Sequence, residues 1–173
     1  MHGASGENGV SPHALLFYAG HLSRQVRNPE GLAKILSSYF QANVVIQEYA
    51  CRWLPIPEEQ QTCLGALSGA QLGVDAIVGS RVLDRQHHFS MVLGALSYAH
   101  YRAFLPGNDC YRQLITWVQD YIGLEFGWQV TLKLEASEVP ACKLGGDQQL
   151  GWSTWLAPSG QQDRADLTLF PAG

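Results

Sequence analysis

The sequence predicts an α+β fold: a mostly antiparallel sheet with helices packed on it, laid out as two pseudo-repeated units of helix, strand, long loop and β-hairpin. Three observations lead there. Proline set just after a capping Ser or Asn opens stretches whose apolar residues recur at three- and four-residue steps, the periodicity of a helix that buries one face. Between these stretches stand short β-branched or alternating runs that read as strands. The same order of elements then comes round a second time. With 173 residues, 46% of them apolar, the chain can bury one ordinary core. Residues 11–173 are therefore expected to form a single domain, after a polar, Gly-rich lead-in over residues 1–10 that is expected to be disordered.

Ser11-Pro12 starts the first helix, whose buried face is defined by Leu15, Ala19, Leu22 and Val26. Asn28-Pro29 repeats the start signal at once, and the second helix carries Leu32, Ile35, Leu36, Tyr39 and Phe40 on one side. So short a joint requires a sharp turn, and both helices are expected to pack on a common sheet. Residues 43–49 (NVVIQEY) are rich in β-branched side chains and read as a strand. Residues 74–78 and 88–93 read as two strands joined around Asp84-Arg85-Gln86; in the second, Phe89, Met91 and Leu93 alternate with His88, Ser90 and Val92. Ser97 caps a short helix on which Tyr98, Tyr101 and Phe104 share a face, and Pro106-Gly107 stops it. The next helix starts at Asn108 or Asp109, carries Tyr111, Leu114, Ile115, Val118 and Ile122 on its apolar side, and ends at Gly123. Residues 127–135 set Trp128, Val130, Leu132 and Leu134 against Gln129, Thr131, Lys133 and Glu135, the alternation of a half-buried strand of the antiparallel type. Residues 149–155 and 166–170 read as two more strands around a polar turn at 158–164.

Two loops interrupt this scheme. The first, over residues 51–70, runs for about 20 residues, longer than ordinary connections, and long loops tend to be functional or disordered. It opens with Trp53-Leu54-Pro55-Ile56-Pro57, where two prolines enforce an extended path and remove two backbone donors, so this stretch cannot be a central strand. A Trp with Leu and Ile on a stiffened loop makes a good interface anchor, because little ordering entropy is left to lose on binding. The opposing reading folds Trp53 back into the core. The second loop, over residues 138–146, contains Val139, Pro140 and Leu144.

Laid side by side, residues 29–105 and 108–171 run through one programme: helix, strand, proline-bearing loop, a Gln-Leu-Gly tripeptide at 71–73 and 149–151, strand, an Asp-Arg turn at 84–85 and 163–164, final strand. The copies stand roughly 78 to 82 residues apart, longer than the period of solenoid repeats. A possible duplication would give two pseudo-equivalent units, each presenting one long loop from a rigid scaffold.

Composition and motifs exclude several functions. Charged residues make up 15% of the chain, against the roughly 25% of an average soluble domain. A surface so poor in charge exposes neutral and apolar area, which suits a subunit of a larger assembly. The net charge of -4 and the absence of a Lys/Arg cluster argue against a nucleic-acid partner. Cys51, Cys63, Cys110 and Cys142 are far apart and read as buried or half-buried free thiols of a reducing compartment. No apolar run reaches membrane-spanning length, so direct membrane insertion is not expected and the protein is read as cytoplasmic. The strings GxSxG, GxxxxGK[ST] and GxGxxG are missing, and no cofactor is expected. His87-His88 point to opposite faces of a strand and cannot readily share a metal; they read as solvated turn residues. Glu58-Glu59 and Asp163-Arg164-Ala165-Asp166 read as loop charges serving solubility. No catalytic or metal-ligating residues are assigned, and the competing class is a small enzyme or ligand-binding domain with a site assembled from scattered residues.

Taken together, the chain resembles the TssG (ImpH/VasB) family of type VI secretion system baseplate subunits. The residues that carry the resemblance are LLFYAGHLSRQVRNPEGL (15–32), RWLPIPEEQQTCLG (52–65), QLGVDAIVGSRVLDRQHHFSMVLG (71–94), YRAFLPG (101–107) and LGWSTWL (150–156). Members of that family are longer, so these residues look like its C-terminal half. The resemblance implies a non-enzymatic scaffold that joins two copies of TssF in a baseplate wedge and extends loops to trimers of TssK. It implies contact with sheath and spike through the assembled baseplate, and a cytoplasmic location tied to the inner-membrane secretion complex. The two stiff loops then become the expected partner contacts, through Trp53, Leu54, Pro55, Ile56 and Pro57 in the first and Val139, Pro140 and Leu144 in the second.

Overall fold

The computed structural model of the chain describes residues 10–23, 26–63, 71, 73–74, 76–142, 148–155 and 163–171. Its centre is a four-stranded sheet in the order β1-β4-β5-β6, with β1 at Val44–Gln47, β4 at His88–Leu96, β5 at Gly127–Leu134 and β6 at Arg164–Leu169. The outer pairs are antiparallel and the central pair, β4 with β5, is parallel. A parallel pair needs a crossover, and the two helices between those strands supply it. Register explains the core. Val44 faces Leu93, Ile46 faces Met91, and across the parallel seam Phe89, Met91 and Leu93 meet Trp128, Val130 and Leu132. Because side chains alternate along each strand, these residues line one face, with Leu167 and Leu169 extending it on β6.

The helices cover that face. α3 (Pro29–Phe40) starts where Asn28 Oδ1 accepts the Gly31 N–H at 2.9 Å, and it buries Leu32, Ile35, Leu36 and Phe40. α5 (Asp109–Ile122) ends at Gly123, as its spacing predicts, but its buried stripe is Leu114, Trp117, Val118 and Tyr121. Tyr111, Ile115 and Ile122, expected on that face, are only half-buried. The helix is rotated so that Trp117, fully buried, becomes the hub between layers: Tyr18 and Tyr39 pack edge-on against it at 5.4 and 5.3 Å. The Tyr121 hydroxyl donates to the Asn28 carbonyl at 3.1 Å, tying the end of α5 to the start of α3. The short α4 (Tyr98–Ala103), capped by Ser97 as its sequence predicts, buries Tyr101, and Phe104 follows it into the core.

Position 94 shows why β4 must bend. The register between β4 and β5 shifts between Leu93 and Leu96, so Leu96 can turn inward to face Leu134. Gly94 sits in this bulge at φ +132°, and a Cβ there would collide with the Lys133 carbonyl oxygen. Only glycine satisfies both constraints.

Several expectations are corrected. The first helix is broken at Tyr18 into α1 (Pro12–Phe17) and α2 (Ala19–Leu22), because Tyr18 turns to pack on Trp117 and to bond its hydroxyl to Ser38 Oγ at 2.8 Å. Val26, expected on its buried face, is exposed. Residues 76–78 form no strand; the strand lies further on, as β3 at Arg81–Asp84. Residues 149–153 form a turn closed by the Trp152 and Ser153 N–H groups on the Gln149 carbonyl, not a strand. β5 pairs parallel with β4 and antiparallel with β6, so its alternation reported a covered face without reporting direction. Cys51, Cys63 and Cys142 lie in connections and are exposed; Cys110, on α5, is half-buried.

The topology does not reproduce the expected duplication. If β1 and β4 corresponded to β5 and β6, the copies would run in opposite directions along the same sheet order. Such a relation turns the sheet over and would place α3 and α5 on opposite faces. They pack together on one face, in a single cluster.

Candidate partner-binding surface

The first proline-bearing loop starts as a strand. β2 (Arg52–Pro55) pairs antiparallel with β3 (Arg81–Asp84) in a separate two-stranded sheet, with Arg52 opposite Asp84, Trp53 opposite Leu83, Leu54 opposite Val82 and Pro55 opposite Arg81. Pro55, which has no N–H to give, stands at the strand end where the ladder runs out. All of β2 is exposed, and β3 is exposed up to its last residue. Trp53 is 60% and Leu83 42% exposed on one face; Leu54 is 37% and Val82 48% exposed on the other. The side chains on both faces therefore point to solvent. A two-stranded ribbon standing alone is marginal in water, and its exposed apolar pairs and free backbone edges suit a partner.

The ribbon is held at its ends. At one, the Ile56 N–H donates to the Ser80 carbonyl at 2.9 Å, Gln61 Nε2 donates to the Ile56 carbonyl at 2.8 Å, and the Ile77 N–H donates to Thr62 Oγ1 at 2.9 Å. Ile56 is 7% exposed, so it does not share the surface with Trp53 as expected. At the other end, Asp84 accepts the Gln86 and His87 N–H groups at 3.2 and 3.3 Å and turns the chain into β4. Burial acts to raise the Asp84 carboxyl pKa, but these hydrogen bonds outweigh it and hold the group below the usual carboxylate value.

The second loop is different. Val139 and Pro140 follow a short 3₁₀ turn (Ala136–Glu138), are half-buried, and Val139 packs against the core. Leu144 lies outside the described residues. Of the eight residues expected to bind partners, Trp53, Leu54, Pro55 and Pro57 are exposed together along the first loop. Val82 and Leu83, missed in the sequence reading, join them; their signal was an apolar pair flanked by Arg81 and Asp84. Asp163 does more than solvate the surface: it pairs with Lys133 Nζ at 3.0 Å and accepts the Ala136 N–H at 3.1 Å. These contacts hold its carboxyl below the ordinary value, the hydrogen bond from Lys133 contributing most.

A cleft of about 510 Å³ opens at one end of the main sheet, walled by the start of α3, the exit of β1, the start of β4 and the end of α5. Among the described residues, its walls include Leu32, Ile46, Phe89 and Ile122 with Glu48, Glu125 and His88. His88 was expected to be solvated and is instead buried, since it is the first residue of β4, opposite Gly127 of β5. Among the described residues, no group of three or more His, Cys, Asp or Glu could hold a metal ion. No described helix is long and apolar enough to cross a membrane.

Comparison with known proteins gives consistent results. A family model described as "Type VI secretion, TssG" matches residues 1–157. No curated protein matches the chain. One similar structure is a chain of a type VI secretion system TssK-TssF-TssG baseplate subcomplex determined by cryo-electron microscopy. It shares 17% identity at a TM-score of 0.74, over 99% of this chain and 75% of that one. Another is a chain of a type VI secretion system baseplate complex, with 18% identity and a TM-score of 0.61, over 95% of this chain and 47% of that one. At such identities the likeness is one of fold.

Proposed function

We propose, from the premise that this chain belongs to the TssG family of type VI secretion, that it works as a non-enzymatic baseplate scaffold bridging TssF and TssK. The observation that carries this reading is the β2–β3 ribbon, a hydrophobic arm exposed on both faces and joined at its Asp84 end to β4 of the packed body. The ribbon's Trp53 and Leu83 form the contact with TssK, while the helices and sheet of the body hold it at a fixed angle. Two copies of TssF and trimers of TssK complete the wedge, with sheath and spike joined through the assembled baseplate on the cytoplasmic side of the inner membrane. One of the similar structures comes from a TssK-TssF-TssG baseplate subcomplex, which supports this choice of partners.

Co-expression with TssF and TssK followed by size-exclusion chromatography tests the reading. The chain should elute with both. Trp53→Ala combined with Leu83→Ala should release TssK from a protein that remains folded. TssK capture unchanged by that double variant would sink the assignment of the contact.

A further inference from the structure

On the reading that the ribbon is the contact with TssK, on which this inference rests, we propose that the partner adds a strand along the free edge of β3, through an extended apolar segment with a carboxylate opposite Arg81. The Ile56 N–H bonds the Ser80 carbonyl at 2.9 Å, and the bonding pattern of the antiparallel pair alternates from there. Leu54 with Val82, and Arg52 with Asp84, exchange their N–H and carbonyl groups inside the ribbon; Trp53 with Leu83, and Pro55 with Arg81, turn theirs outwards. Along β3 the outward set is complete: an N–H and a carbonyl from Arg81, then an N–H and a carbonyl from Leu83, at a repeat of roughly 7 Å. Along β2 it breaks off at Pro55, which presents a carbonyl and no N–H. Proline on an edge strand is a means of closing that edge to further pairing, and here it closes one edge of two. Among the described residues no third strand occupies the other.

The side chains of the ribbon give the segment its chemistry. A strand laid beside β3 extends two apolar rows, Trp53 with Leu83 on one face and Leu54 with Val82 on the other, all of them exposed. Apolar residues opposite Leu83 and Val82 let both rows lose area to the partner. The two charges of β3 are not equivalent. Asp84 is committed to the turn, where it accepts the Gln86 and His87 N–H groups. Arg81 is exposed and makes no ion pair among the described residues. A carboxylate opposite Arg81 is therefore attracted, and a Lys or Arg in that place is repelled. In antiparallel pairing, the more stable arrangement per residue, the segment reads apolar, apolar, acidic from its N-terminal end.

The test uses the full chain, free and bound to TssK together with TssF, with amide hydrogen exchange read residue by residue. On binding, the Arg81 and Leu83 amides should slow by at least about tenfold, and the Trp53 amide should change far less. Proline substitutions then separate backbone from side chain. Leu83→Pro breaks no bond within the ribbon, because that N–H points outwards, and should weaken TssK binding about tenfold more than Leu83→Ala does, one decade in Kd. Trp53→Pro should weaken it no more than Trp53→Ala. Protection of the inward Leu54 and Val82 amides reports that the ribbon stays formed in each variant. Arg81→Glu should weaken binding, and Arg81→Lys should keep it. No capture of TssK by the unaltered chain would sink the ribbon's assignment and strand addition with it. Capture with the Arg81 and Leu83 amides still exchanging freely, protection of Trp53 in their place, or equal binding by Leu83→Pro and Leu83→Ala would overturn strand addition on β3 alone. Undiminished binding of Arg81→Glu would overturn the carboxylate.

Discussion

Gly94 sets the course of β4 through one missing side chain. It occupies φ +132° with its α-carbon against the Lys133 carbonyl, so any Cβ must push β4 away from β5. Gly94→Ala is expected to lower unfolding stability by about 1–3 kcal/mol, measured by urea denaturation. His88 makes a different prediction. Its native pKa is depressed below the ordinary value, chiefly by burial, so the native state refuses a proton that the unfolded chain accepts. The stability tied to this group is present above the unfolded pKa of about 6.5 and is lost as pH falls below it. Urea melts at pH 7.5 and 5.5 should show the loss, and His88→Leu should make it smaller. Neither residue announced itself. Glycine is common in this chain, and a His next to another His looked like part of a turn, because its burial depends on β5, which comes some forty positions later.

At the scale of elements, the ribbon and the body should respond to substitution in opposite ways. Trp53→Ala and Leu83→Ala remove side chains that already face solvent, so stability should change by less than about 0.5 kcal/mol while TssK capture falls. Matched thermal melts and pull-downs decide between this and a structural role. Trp117 stands at the other extreme: fully buried and touched by two tyrosines, its replacement by Ala should cost about 3–5 kcal/mol. The connection into β6 contributes a third effect. Asp163 has a native pKa below its ordinary value, so its share of stability is present above the unfolded pKa and lost as pH falls through the native one. Asp163→Asn should flatten the acid limb of the stability curve. Element identity was largely legible: the Asn28-Pro29 start, the Gly123 stop and the alternation from Trp128 to Leu134 are local signals, and each falls where the structure has it. The strand expected at 74–78 was not, because an apolar run shows hydrophobicity without saying whether a neighbour exists to cover it.

At the scale of the molecule, one helical layer over one sheet makes the body. The helices close the inner face, the ribbon projects from the connection between β1 and β4, and the His88 cleft opens at the sheet's end. By itself the sequence determined the helices, their caps, most strands and the charge-poor surface, since these follow from interactions within a few residues of chain. It also carried enough of the motif order to indicate the family. Only the tertiary structure decided that β4 and β5 run parallel, that β2 meets β3 across the first loop, that α5 turns Trp117 and not Ile122 to the centre, and that His88 is buried. Those outcomes depend on contacts between segments far apart in the chain, where the partner that covers a side chain, or fails to, cannot be read from its neighbours in sequence.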